Sequence, residues 1–426
     1  MRRHARISII AFTALALLIP PSAAYGAEPT PVFKAKWGTN GSGTGQFQSP
    51  WGLFRGADGT LYVADSNNDR VQEFSPSGNY LGQWGATGSA EGQFLTPFDV
   101  ATDSSGNFYV TDANNARIQK FDPSGTFLQT WGWGVDDGTS VFQICTSGCQ
   151  AGKTGNGAGQ FFGLSYLAVD SSDTIYVADT GNHRVQKFST SGTLLGSFGS
   201  TGAGDGQFWS PTGIAIDTSD TIYVADGGNG RVQMWSPGGA SFLGSFGSPG
   251  SGDGQLQYPT GLAFDAAGDL YVAEWNNHRV QKFGPTGTFL TSFGSEGAGD
   301  GQFQSPTDLV TAPDGSVYVS DTSNHRIQRF GPPETSIAIK APRRVRIGAR
   351  AKVSGALESA DAACVDRQKV VLKRGETRLA SLRTSATGEY AFRIQVQRRM
   401  TVRVSYAGTL GCGASISVKK IIAIRR

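Results

Sequence analysis

Between Trp37 and Phe330, apolar runs of about five residues recur, each bounded by Gly, Pro, Asp or Ser. They belong to one phrase, repeated six times: G-x-G-Q-F-x-x-P-x-G-[LIV]-A-x-D-x-x-G-x-[LI]-Y-V-A-D-x-x-N-x-R-[VI]-Q-x-F, followed by a short run ending in Trp-Gly or Phe-Gly. Its Arg stands at 70, 117, 184, 231, 279 and 326, with gaps of 47, 67, 47, 48 and 47. Dense aromatic and β-branched residues between turn signals predict strands. In the fourth copy they are Gly213–Asp217, Thr221–Ala225, Arg231–Trp235 and Ser241–Phe246. Four strands per copy at a period near 47 is the pattern of propeller blades.

The sixth copy ends at Arg326–Phe330, before Gly331-Pro332-Pro333, and lacks a fourth strand. A matching run, Val32–Trp37, stands ahead of the first copy. The expectation is an all-β chain: a six-bladed β-propeller over 32–331 whose N-terminal strand closes the last blade, leaving no open edge. The longer second gap marks an insertion over 133–159.

The phrase Tyr-Val-Ala-Asp-x-x-Asn-His-Arg-[VI]-Gln-x-Phe resembles the NHL repeat of six-bladed, secreted bacterial-type propellers. Asn-His-Arg appears at 182–184, 277–279 and 324–326, while the other copies carry Asp69, Ala116 and Gly230 at the His position. The resemblance covers residues 32–330. It also implies two questions of chemistry, because peptide-amidating lyase relatives are zinc propellers and streptogramin lyases share the architecture.

Residues 1–26 combine basic Arg2, Arg3 and Arg6, an apolar Ile7–Ile19 and small residues near Ala24, which describes a secretory signal. The run is too short to span a bilayer. Secretion or cell-envelope association follows, and four cysteines fit that oxidising destination, with Cys145–Cys149 and Cys364–Cys412 the simplest pairing. Charge divides sharply. From 335 onward there are 20 Lys and Arg against 5 Asp and Glu, whereas residues 27–334 hold 14 against 29. A second domain over 335–426 is expected, a basic Ig-like β-sandwich of short strands. Its arginines would form a solvated face or hold an anionic cell-envelope polymer. An acidic propeller makes nucleic acid an unsuitable partner.

What every blade shares is explained by what every blade needs. Asp65, Asp112, Asp179, Asp226, Glu274 and Asp321 each precede, by five residues, Arg70, Arg117, Arg184, Arg231, Arg279 and Arg326. A structural carboxylate–guanidinium pair across a tight loop is expected. His183, His278 and His325 fall after the second strands, well off the axis, so one zinc with ~2.1 Å bonds cannot gather them. The Gly-x-Gly-x-Gly-Gln loops open no helix and give no phosphate cradle, and the Gly-Asp-Gly-Gln copies offer calcium one carboxylate each. No metal and no cofactor is expected.

Blade-specific departures are the candidates for function. Trp51, Phe98, Phe162, Trp209, Tyr258 and Trp275 collect on the face formed by loops before the first and after the second strands. The insertion is expected to emerge there too. At the head of the innermost strand, Gly52, Gly213 and Gly261 give way to Asp99, Tyr166 and Asp308 in blades 2, 3 and 6. Aromatics with a few polar groups at a concave mouth suit ligand capture, and the same rings would also serve to pack loops over blade edges. With blade 1 between them, Asp99 and Asp308 are expected ~120° apart and roughly 10 Å or more from each other, at or beyond the limit for a glycosidase pair. No catalytic residue is assigned. The reading is an exported, non-catalytic binding scaffold for a protein, peptide or glycan, its basic tail aiding surface retention. The alternative is a propeller lyase or hydrolase acting at the channel mouth.

Overall fold

The computed structural model describes residues 29–337, 339, 344–346, 349–359, 364, 368–374, 377–395, 400–406, 412 and 415–424. The expected signal at 1–26 lies outside them. Six antiparallel sheets follow one another from residue 50 to residue 331, and we number them by repeat. Sheet 4 is typical: Pro211–Ile216, Ile222–Asp226, Arg231–Trp235 and Phe242–Phe246, in that order. The first strands of the others are Pro50–Arg55, Pro97–Thr102, Leu164–Val169, Pro259–Phe264 and Pro306–Thr311.

Sheet 6 takes its fourth strand from the other end of the repeats. Val32–Trp37 pairs antiparallel with Arg326–Gly331, with Phe33 opposite Phe330 and Trp37 opposite Ile327. Each first strand touches those of its two neighbours, and the strand of sheet 1 meets those of sheets 2 and 6. An apolar cluster fills each space between neighbouring sheets. The one between sheets 6 and 1 holds Phe47, Leu53, Phe74, Tyr318 and Ile327, with Trp37 packed against it. The alternate apolar positions of the second and third strands supply these clusters, as strands covered on both faces require.

Hydroxyl groups stitch the first strands head to head. Ser66, Thr180, Thr212, Thr260 and Thr322 each donate to the carbonyl of the next sheet's opening proline: Pro97, Pro211, Pro259, Pro306 and Pro50. The bond from sheet 6 to sheet 1, Thr322 Oγ1 to Pro50 at 2.6 Å, has the same chemistry as the rest. Sheets 2 and 3 lack it, because Ala113 and Phe98, at the two positions that supply the donor elsewhere, have no hydroxyl.

The insertion carries a strand that its sequence did not announce. Part of it, Phe142–Cys145, adds a fifth strand to the outer edge of sheet 2, pairing with Phe127–Trp133. A disulfide joins Cys145 to Cys149, and both cysteines pack beside Val135 in a small core of their own.

Beyond residue 334 the described strands form two sheets. One contains Thr335–Ile337, Arg350–Ser359 and Glu389–Gln395; the other contains Arg344–Arg346, Ser415–Ile424, Met400–Tyr406, Lys369–Arg374 and Thr377–Arg383. They share a core of Val353, Leu372, Phe392, Val404 and other apolar residues, and a disulfide joins Cys364 to Cys412.

Candidate functional site

Asp99, Tyr166 and Asp308 come together where the first strands converge. Tyr166 reaches across the ring from sheet 3 and donates its hydroxyl to the Thr307 carbonyl of sheet 6, at 2.7 Å. Asp99 accepts the backbone N–H groups of Val100 and of Leu167 in the next sheet. Asp308 accepts that of Leu53, in sheet 1, at 2.7 Å. Below them a channel of about 220 Å³ runs between all six first strands.

The sequence expectation of two well-separated carboxyls is corrected here. Both converge on repeat 1, which lies between them. Asp308 bonds Leu53, and the Asp99 carboxyl leans over Gly52, where a Cβ would stand 2.5 Å from Asp99 Oδ1. Neighbouring first strands leave no space for a side chain at this point, and glycine makes the room. A Cβ at Gly261 would likewise stand 2.4 Å from Asp308 Oδ1.

Burial and mutual repulsion disfavour charge on both groups. Burial pushes the Asp99 carboxyl up to about 7 against the pull of its two N–H donors. Asp308 is raised well above the usual carboxylate range, by burial first and then by the Asp99 charge. Burial and the same two carboxyls also raise Tyr166. Among the described residues no Arg, Lys or His lines the channel to offset this, so burial shifts both acids toward their protonated forms.

Aromatic side chains gather above this floor. Trp51 packs on Phe98 at 4.2 Å and on Trp275 at 4.9 Å, while the Phe98 ring meets Tyr166 edge-on at 5.9 Å. Tyr258 is half-buried near Tyr166, and burial raises its hydroxyl above the usual value. Phe162 and Trp209 stand apart, each about half exposed.

The carboxylate–arginine pair is present in all six sheets, with Nε to oxygen distances of 2.6 to 2.8 Å. In repeat 1, Asp65 accepts Arg70, Asn68 and Gln72 on one oxygen and the Gln48 N–H on the other. Arg70 and Asn68 also donate to carbonyls of the glycine loop, at Gly43 and Gly41. The box therefore clamps the loop before each first strand onto its own sheet. The NHL repeat family matches residues 47–74, 94–121, 167–188, 208–235, 256–283 and 303–330.

This chain carries six NHL repeats.

Among solved structures it is similar to a streptogramin B lyase, at 13% identity over 71% of this chain and 98% of the other, TM-score 0.45. A putative gluconolactonase gives 12% over 72% and 97%, TM-score 0.48. A PQQ-bound aldose sugar dehydrogenase from Streptomyces coelicolor gives 15% over 72% and 99%, TM-score 0.45. Likeness at these identities and TM-scores carries no property of those proteins over to this chain.

The His of the NHL repeat has a local geometry that spacing alone did not reveal. His183, His278 and His325 take left-handed backbone conformations, the first and last at the end of a short 3₁₀ turn and His278 in a turn. Each Nδ1 accepts a backbone N–H from the next sheet, of Ser210, Ser305 and Ser49 respectively. Asp69 does the same for Thr96 with a carboxylate oxygen. A second signal was readable but unread. Where sister repeats carry Ala64, Ala178, Ala225 and Ala273, the two Asp-bearing repeats carry Thr111 and Ser320. Thr111 accepts the Asp99 N–H, while Ser320 Oγ is buried without a hydrogen-bond partner among the described residues.

Proposed function

We propose that this protein is an exported, non-catalytic binding scaffold. Its six sheets would be the blades of one closed propeller, with Val32–Trp37 completing the last, and the aromatic face would receive a protein, peptide or glycan. The observation that carries this reading is the state of the axis. The carboxyls of Asp99 and Asp308 accept backbone N–H groups, and Tyr166 bridges the ring above the channel. General acid–base work needs a group poised to exchange protons with a substrate, and this trio is engaged in joining sheets 1, 2, 3 and 6. What remains for a ligand is the surface above: Trp51, Phe98, Tyr258 and Trp275 around the centre, Phe162 and Trp209 farther out.

The C-terminal region, read as an Ig-like sandwich, would aid retention at the cell envelope. Lys352 stands directly opposite Arg393 on neighbouring strands, with Arg350 two residues away, and all three are exposed. Like charges facing each other across strands destabilise a sheet, a cost that a polyanion would offset.

Capture of cell-envelope fractions by the full chain tests both parts. Trp51→Ala with Trp275→Ala should reduce capture by the face, and Arg350, Lys352 and Arg393→Gln should reduce retention most strongly at low salt. Unchanged capture by both variants would end the reading.

A further inference from the structure

The residue after the buried Phe or Leu that precedes each first strand is solvent-exposed in every repeat: Gln48, Leu95, Phe162, Trp209, Gln257 and Gln304. Three sisters carry glutamine, so the fold does not ask for an aromatic there. Repeats 3 and 4 nevertheless place large rings at this point, with Phe162 55% and Trp209 51% exposed.

Both residues are seated against the fold. The Phe162 and Trp209 N–H groups donate to Asp179 and Asp226, at 2.9 and 2.8 Å. Each ring presses on a glycine of its own turn. A Cβ at Gly181 would stand 2.4 Å from the Phe162 ring, and one at Gly228 would stand 2.0 Å from that of Trp209. His183 stacks on Trp209, 5.2 Å between centroids and 21° from parallel. Because its Nδ1 accepts the Ser210 N–H, neutral His183 must carry its proton on Nε2, a donor beside the Trp209 ring. Gly181, under Phe162, and His183, against Trp209, are two residues apart, at most ~7.6 Å between their Cα atoms.

We propose that Phe162, Trp209 and His183 form a subsite for a linear glycan of pyranose rings. Half-exposed aromatic rings seated against the fold present apolar surface on which the C–H face of a sugar would stack, and the His183 Nε2–H would donate to a sugar hydroxyl. Two such rings on neighbouring repeats suit a chain of sugars rather than a single one. This rests on reading the aromatic face as a binding surface, and it names the ligand class.

Native electrophoresis of the full chain in gels containing hydroxyethylcellulose, xylan, glycol chitin or a soluble β-1,3-glucan tests it. Trp209→Gln and Phe162→Gln install the residue that sister repeats carry, so folding is preserved and circular dichroism should be unchanged. Retardation by at least one polysaccharide is expected, weakened tenfold or more in Trp209→Gln and partly restored in Trp209→Phe. Absence of retardation in all four gels, or equal retardation of Trp209→Gln, overturns the proposal. If envelope capture is lost in Trp209→Gln yet soluble polysaccharide fails to compete with it, the glycan assignment falls while the binding face stands.

Discussion

The axial carboxyls make stability depend on pH in a direction opposite to that of an ordinary salt-bridged acid. Asp99 is lifted from 3.8 to about 7 by burial. Between those values the folded protein keeps a proton that the unfolded chain has released, so stability is present below the lower value and is lost as pH rises. Each pH unit in the window costs about 1.4 kcal/mol per proton, which sums to about 4 kcal/mol between pH 4 and pH 7. Asn at position 99 does not titrate. It leaves one of the Val100 and Leu167 N–H groups poorly matched, a constant penalty of about 1–3 kcal/mol, but the pH-dependent loss disappears. The stability of Asp99→Asn minus that of the wild type should therefore climb by about 4 kcal/mol from pH 4 to pH 8, whatever its starting offset. All eight tryptophans lie between Trp37 and Trp275, so urea titrations followed by tryptophan fluorescence report on the repeats rather than the C-terminal sheets. Asp308→Asn should show a climb of the same sign, since Asp99 and burial raise that carboxyl too. Parallel curves for wild type and both variants, within about 0.5 kcal/mol at every pH, would refute the placement of a shared, desolvated acid pair at the axis.

Three further outcomes are expected. Tyr166→Phe removes the hydroxyl bonded to Thr307, and should lower stability by about 1–3 kcal/mol in urea titration, with no effect on envelope capture. Arg117 and Asp112 are both fully buried, so Arg117→Met should cost about 3–5 kcal/mol by stranding the carboxylate; Lys36→Met, at the exposed pair with Asp300, should cost no more than about 1 kcal/mol. Deleting residues 29–37 strips the fourth strand from sheet 6 and uncovers Ile327 and Phe330. Size-exclusion chromatography should then show association or loss of a single cooperative unfolding transition.

Much of the fold was legible because every strand is written six times. A single Ile-Tyr-Val-Ala-Asp run is ambiguous, whereas six copies in register with the same turn residues leave one reading. The geometry of the axis was not legible, because it depends on how closely the first strands converge. A Cβ at Gly213 would stand 2.0 Å from the Thr260 carbonyl oxygen, a clash between neighbouring sheets that the strand spacing within one sheet does not convey. The same shortfall hid the reach of Tyr166 to Thr307. In the C-terminal region Thr377–Arg383 pairs with Lys369–Arg374, but its sequence, Thr-Arg-Leu-Ala-Ser-Leu-Arg, has a single β-branched residue to announce a strand. The fifth strand of sheet 2 was missed for a different reason: an insertion has no sister copies against which to compare it.

The carboxylate box also explains how one surface position can vary freely without endangering the ring. In each repeat the acid holds the backbone N–H of the exposed residue, whether its side chain is Gln48, Leu95, Phe162 or Trp209. Backbone position is thus set by a bond that does not involve the side chain, and side-chain identity is released from folding. The axis obeys the contrary logic. There the side chain itself makes the bond to the neighbouring sheet, and Asp99, Tyr166 and Asp308 are each answered by a particular partner in another repeat. Departures from the repeat at the axis therefore couple to stability, and departures on the outer face couple to what the face can bind. A tryptophan tolerated where glutamine would fold equally well is the second kind, and its ring is where a ligand is to be sought.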